Sequence, residues 1–196
     1  MIKIGSRILL VFALLLTLGA GTPTKYASLK LTKVGQELED WCWAATATMA
    51  KNAVGPNVKQ CAEASTSTLN CCPTPDEQTD HARWVACNRT GAPAFLKPHY
   101  EAKDSMQAGP PVLSWNDIKS EIDAKRPFVF LRKLTTGGGH FYVVQGYSRD
   151  QGVRSIQLID PWPVGSGAVY WQPYSWYSKP NMHVRDQYEI KYLGEE

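Results

Sequence analysis

The stretch Asp40-Trp41-Cys42-Trp43-Ala44-Ala45 places a thiol where an Ala-rich helix begins. Residues 42–54 run Cys-Trp-Ala-Ala-Thr-Ala-Thr-Met-Ala-Lys-Asn-Ala-Val and stop at Gly55-Pro56, which predicts one helix with Asp40 as its N-cap. The first turn of a helix leaves backbone N–H groups without partners and carries partial positive charge. Both favour a thiolate over a thiol, and the thiolate is the nucleophile. Taken alone, the same stretch is equally a buried structural cysteine between two core tryptophans.

Three residues elsewhere shift that balance. Gln36 lies six residues before Cys42, where a side-chain amide beside the helix start can join the Cys42 N–H as an oxyanion hole. Gly137-Gly138-Gly139-His140 sets an imidazole at the mouth of the apolar strand Phe141-Tyr142-Val143-Val144. Twenty residues on, Ile159-Asp160-Pro161-Trp162 ends the next strand. In a hairpin the start of one strand lies beside the end of its partner, so Asp160 is placed to orient His140. A Gly loop is usually a turn and Asp-Pro a common strand terminator, but the four residues in this order are unlikely by chance. Gln36 sits in a polar segment and fills no predicted core position.

Around these residues the chain divides by periodicity. Further helices are predicted at about 59–69, 77–87 and 115–125. The last has a capping-box-like Ser114-Trp115-Asn116-Asp117 start, an apolar face of Trp115, Ile118 and Ile122, and Pro127 beyond its end. Then come strand runs at 128–131, 140–144, 156–159, 169–171 and 187–190. The class is α+β: a helical lobe followed by an antiparallel meander, with a site expected in the cleft between them. Trp115, Trp162, Trp171 and Trp176 are assigned mostly to the core of the second lobe or the lobe interface, Trp162 also as a shield for the His140–Asp160 hydrogen bond. His81, His99 and His183 are read as surface or satisfied residues.

Composition sets the compartment. The 196 residues are 43% hydrophobic and 20% charged, which excludes a disordered chain, a collagen-like fibre and a multi-pass membrane protein. A net charge of +3 is too small to mark a nucleic-acid reader. Lys3 and Arg7, the apolar run 8–18 and Gly19-Ala20-Gly21 make a secretory signal peptide over 1–21. The run is short of the ~20 residues a spanning helix needs, so no integral membrane association is expected after cleavage. The mature chain is expected to be a secreted or periplasmic monomer of near-zero net charge. In that oxidising setting cysteines pair. Apart from Cys42, the chain has Cys61, Cys71, Cys72 and Cys87. An adjacent 71–72 bridge would be strained, which leaves 61–71 with 72–87, or 61–72 with 71–87. A zinc site involving His81 is the rival, but no Cys-x-x-Cys spacing is present.

Gln36-x5-Cys42-Trp43-Ala44, the Gly-His140 strand and Ile159-Asp160-Pro161 resemble the papain-like cysteine peptidases. The short bacterial branches are nearest: the staphopains, the bacteriocin-leader peptidases and the avirulence-effector peptidase of plant pathogens. Trp41 to Ala45 with Cys71-Cys72-Pro73 is most similar to the last. The resemblance covers Gln36 to the C-terminus. It implies a helical left lobe (about 36–125) and a β-barrel-like right lobe (about 126–196), preceded by a segment 22–35, with the active site in the cleft. It also implies Cys42 as nucleophile, His140 as acid–base, Asp160 as orienting residue, Gln36 in the oxyanion hole, a protein or peptide substrate, and no metal or organic cofactor. Asp160 stands where plant and lysosomal members carry Asn, and the Cys-to-His gap of 98 residues implies missing surface loops. About a dozen residues separate the signal exit from Gln36, so no inhibitory propeptide is expected there. The same four residues also serve acyltransferases, transglutaminases and amidases, and a decayed scaffold would keep the fold as a binding protein.

With four cysteines paired, Cys42 is expected to be the one reactive thiol of the non-reduced mature protein. Intact-mass analysis after alkylation should give one adduct, lost in Cys42→Ala. Two or more adducts would overturn the disulfide assignment, and none would overturn the nucleophile.

Overall fold

The computed structural model describes residues 25–73, 81–95, 98–107 and 112–194. The elements are β1 (Lys25–Ser28), α1 (Cys42–Val54), α2 (Gln60–Ala64), α3 (His81–Cys87), β2 (Tyr100–Asp104), α4 (Trp115–Asp123), β3 (Phe128–Lys133), β4 (Gly139–Asp150), β5 (Val153–Asp160), β6 (Ala168–Pro173), α5 (Tyr174–Tyr177) and β7 (His183–Tyr192). The seven strands form one antiparallel sheet in the order β2-β7-β3-β4-β5-β6, with β1 paired to β4 beyond the end of β3.

The five strand runs expected from the sequence are β3 to β7. The sheet is open, however, and not barrel-like: β2 and β6 are its ends and do not pair. Closure requires strands that share tilt and stagger around the whole ring, whereas β1 and β2 have four and five residues. Helices also fill both faces. Val129, Phe141, Val143 and Ile159 pack on one face with Trp41, Ala44, Met49 and Ala50 of the α1 region. Phe128, Phe130, Tyr142, Val144, Ile156 and Leu158 pack on the other with Trp115, Ile118 and Ile122 of α4 and Tyr177 of α5. Burial on both faces explains why Phe128-Val129-Phe130-Leu131 is a continuous apolar run and not an alternation. Each such aromatic or branched side chain contributes about 1.5–3 kcal/mol through burial.

The helices differ more from expectation. Alpha 1 has its expected bounds, but its N-cap is Trp41, and no side chain caps it. Asp40 lies one residue too early, and its N–H donates to Asn88 Oδ1 at 2.9 Å. The second helix ends at Ala64 and does not reach 69. From Ser65 onward hydroxyls compete for the backbone: Ser65 Oγ donates to Cys61 O at 2.8 Å, and Leu69 N donates to Thr66 Oγ1 at 3.1 Å. The third is described from His81, and its expected start at 77–80 lies outside the described residues, as does the signal segment 1–21. Alpha 4 carries the full capping box between Ser114 and Asp117. Trp115 is buried, but Trp162 and Trp171 are 50% and 39% exposed, on the loop after β5 and on the edge strand β6. These two are not core residues.

The cysteines take the second of the two open pairings, Cys61–Cys72 and Cys71–Cys87, which bind α2, the 65–72 loop and α3 together. Cys42 is free. His183 is satisfied as expected: its side chain is 2% exposed and lies against the Asp186 carboxylate and the Tyr177 carbonyl. Asp186 also accepts from Leu113 N and Tyr177 O–H, which fastens the approach to α4 onto β7. Among the described residues no helix is long and apolar enough to cross a membrane.

Between β1 and α1 the chain forms a strap over the α1 face of the sheet. Leu29 N and Leu31 N donate to the backbone and side chain of Gln145, and Lys33 Nζ donates to Gly167 O. The strap ends against the loop after β5, where Gln36 N donates to Pro161 O at 2.9 Å and Gly165 N donates to Gln36 O at 2.8 Å. Gly35 permits this approach, since a Cβ there would lie 2.4 Å from Ser166 N and 2.7 Å from Gly165 C. Gly35→Ala is therefore expected to force strap and loop apart and to destabilise the fold by about 1–3 kcal/mol. A thermal midpoint equal to wild type would show that the two segments are not in tight contact.

Candidate active site

Cys42 is the first residue of α1, and its helix has no side-chain cap. The first hydrogen bond of the helix is Ala45 N to Trp41 O, so the preceding amides, Cys42 N–H included, are not consumed within it. Two indoles fix the helix start. Trp41 Nε1 donates to Cys87 O at 2.7 Å and Trp43 Nε1 to Arg89 O at 3.0 Å. Gly91 then lies flat on the Trp43 ring, where a Cβ would come within 2.5 Å of Cε2. The disulfide-held 87–91 segment thus becomes one wall of a cleft of about 720 Å³.

The opposite wall is the β3–β4 hairpin and the end of β5, and Cys42, His140, Asp160 and Gln36 all line the cleft. Register places Val143 opposite Ile159, so His140 and Asp160 are diagonal neighbours on one face of the β4–β5 pair. His140 Nε2 lies 2.7 Å from Asp160 Oδ1, with the two side chains 13% and 15% exposed. With Nε2 held there, Nδ1 is the ring nitrogen left free to serve Cys42, which lines the same cleft. Burial by itself lowers the pKa of His140, but the hydrogen bonds to Asp160 and Cys42 and their charges outweigh it and raise the imidazole to about 9. At neutral pH it is an imidazolium. Its partners therefore stabilise the fold fully below pH 6.5, and that stability is lost as pH rises through about 9.

Asp160 accepts from three donors. Besides His140, Oδ1 accepts from Trp162 N at 2.9 Å, and Oδ2 accepts from Tyr170 O–H at 2.9 Å. Tyr142 stands edge-on to the His140 ring at 4.7 Å. Burial and the Asp160 charge raise Tyr142 to about 12 and hold Tyr170 far above the usual phenol range, so both remain neutral. The sequence reading missed both tyrosines. Tyr142 was accessible by alternation, two residues from His140 on the same strand. Tyr170 becomes visible only from the β5–β6 register, which sets Ala168 opposite Asp160 and Tyr170 opposite Leu158.

Gln36 departs from its expected environment. It is 1% exposed, not part of an open polar segment. Its Nε2 donates to the carbonyls of Leu38 and Glu39, and its Oε1 is buried without a partner among the described residues. The loop before α1 folds back over this amide and packs Leu38 against the core, so burial came from a tertiary closure that the polarity of the segment did not reveal. Among the described residues no group of His, Cys, Asp and Glu has the arrangement of a metal site.

The family model described as the Peptidase_C39 like family matches residues 28–191. No curated protein matches the chain. The matched range contains the strap, α1 and the cleft residues Gln36, Cys42, His140 and Asp160.

An NMR titration of the His140 imidazole is expected to have its midpoint near 9. The midpoint should fall in Asp160→Ala, because two of the upward influences vanish while burial still lowers it. An unchanged midpoint in that variant would assign the whole shift to Cys42.

Proposed function

The chain belongs to the Peptidase_C39 like family, which makes it cysteine-peptidase-related, and on that footing we propose that it is an exported cysteine endopeptidase with Cys42, His140 and Asp160 as its catalytic residues. The observation that carries this reading is the His140–Asp160 hydrogen bond, set in one cleft with Cys42 at an uncapped helix start.

In the proposed reaction Cys42 Sγ, as thiolate, attacks the carbonyl carbon of a peptide bond. The carbonyl oxygen becomes an oxyanion, and the Cys42 N–H donates to it. Gln36 is the second donor, its amide turning from the Leu38 and Glu39 carbonyls toward the new charge. His140 then gives its proton from Nδ1 to the amide nitrogen, the C–N bond breaks and the amine leaves, with a thioester on Cys42. Neutral His140 takes a proton from water, and the resulting hydroxide attacks the thioester. The carboxylic acid leaves and the thiolate–imidazolium pair is restored. Asp160 holds the ring through Nε2 and favours its charged form, as the raised pKa indicates.

Export is supported by the leader-like residues 1–21 and by two disulfides, which fit an oxidising compartment. The substrate is a protein or peptide, and the resemblance to short bacterial peptidases includes those delivered as effectors.

Substrate profiling of the mature chain against a peptide library, with Cys42→Ala as control, tests the reading. Cleavage that vanishes in Cys42→Ala and His140→Ala supports it; cleavage that persists in Cys42→Ala overturns it. Gln36→Ala should lower kcat by about 10²–10³ with a smaller change in KM, because an oxyanion donor acts only in the transition state. Its buried position means that this variant should also melt below wild type. Unchanged turnover in a folded Gln36→Ala would leave the Cys42 amide as the oxyanion donor.

A further inference from the structure

Among the described residues, one cation lines the cleft without a part in the reaction above. Arg185 on β7 is opposite Leu131 on β3, and Leu131 is opposite Phe141 on β4. The three side chains therefore form a row across adjacent strands, on the sheet face that α1 covers, and all three line the cleft. The guanidinium lies 5.8 Å from the centre of the Phe141 ring. Its Nη1 donates to Asp104 Oδ2 at 3.2 Å, which pins one corner of the fork. Its Nε is buried and has no partner among the described residues.

An arginine presents five N–H donors in a rigid plane, and the edge formed by Nε and Nη2 matches the two oxygens of a carboxylate. With Nη1 anchored on Asp104, Nε of that edge is left without an acceptor among the described residues, although buried N–H groups are almost always paired. Leu131 and Phe141 supply apolar walls for the methylenes of an acidic side chain. Apart from the His140–Asp160 pair, whose opposite charges offset each other, the charged residues lining the cleft are Glu39 and Asp40 of the loop before α1, which repel a carboxylate there. Charge in the cleft thus favours an acid at Arg185 and disfavours one beside that loop.

Resting on the peptidase reading, we propose that Arg185 ends a substrate subsite for an acidic side chain, so that glutamate or aspartate at one position near the scissile bond determines specificity. Asp104 is a positioning residue for this subsite, holding the guanidinium and partly offsetting its charge.

The test uses peptides blocked at both ends, so that only side chains carry charge, and compares Glu with Gln and Asp with Asn at each position around the scissile bond. At one position the acid should be preferred by about tenfold in kcat/KM, the range of a charge-assisted hydrogen bond. In Arg185→Gln the ratio at that position should fall toward one. In Asp104→Asn it should rise, since a competing negative charge is gone. No acidic preference at any position, or a preference that survives in Arg185→Gln, overturns the subsite alone. If Arg185→Gln does not fold, Asp104→Asn decides: an unchanged ratio overturns the subsite. Failure of wild type to cleave any peptide overturns the peptidase reading and the subsite with it.

Discussion

The Asp160 carboxylate is the fixed point of the cleft. One oxygen holds His140 Nε2 and the Trp162 amide, and the other holds the Tyr170 hydroxyl. A carboxylate with three donors around it cannot rotate without breaking at least one hydrogen bond. The imidazole is thereby fixed through Nε2, which leaves Nδ1 as its unheld nitrogen. It keeps its proton for the same reason: buried as it is, it would lose the proton easily without the charge and hydrogen bond of Asp160. Tyr142 and Tyr170 pack around the pair and stay neutral, so they wall it from water without adding charge.

The loop that follows Asp160 extends this control to the other side of the cleft. Pro161 and Gly165 hold Gln36 by both of its backbone polar groups, and Gly35 lets the strap lie directly against Gly165 to Gly167. Asp160, which holds His140, and Gln36, which lines the same cleft, are therefore linked through one seven-residue loop. The strap continues to β1 and its pairing with β4, so the sheet is joined through residues 29–35 to Gln36 in the cleft lining. On the far wall the Cys71–Cys87 disulfide fixes Cys87, whose carbonyl accepts from Trp41, and so the start of α1 is anchored from both flanks.

Strong local signals were legible in the chain. Ala-rich composition and Gly55-Pro56 set the bounds of α1, and five apolar runs set β3 to β7, because helix propensity and hydrophobic patterning act over a few residues. Short elements were not legible. Beta 1 and β2 have four and five residues of mixed polarity and are strands only because β4 and β7 offer them an edge. In the 65–72 loop, side-chain hydroxyls outweighed a weak helical pattern.

By itself the sequence determined the chemistry present: one odd cysteine at a helix start, a histidine opening a strand, and an aspartate ending the next. Spacing and hairpin geometry were enough to pair the last two. Only the tertiary structure decided which cysteines join, that the sheet stays open between two helical layers, and that Gln36 is buried with its amide on Leu38 and Glu39. It alone brought Tyr170 onto Asp160 and Arg185 into the cleft beside Leu131. Those placements depend on strand register and on the order of strands in the sheet. They are fixed by packing between residues far apart in the chain, and no local pattern encodes it.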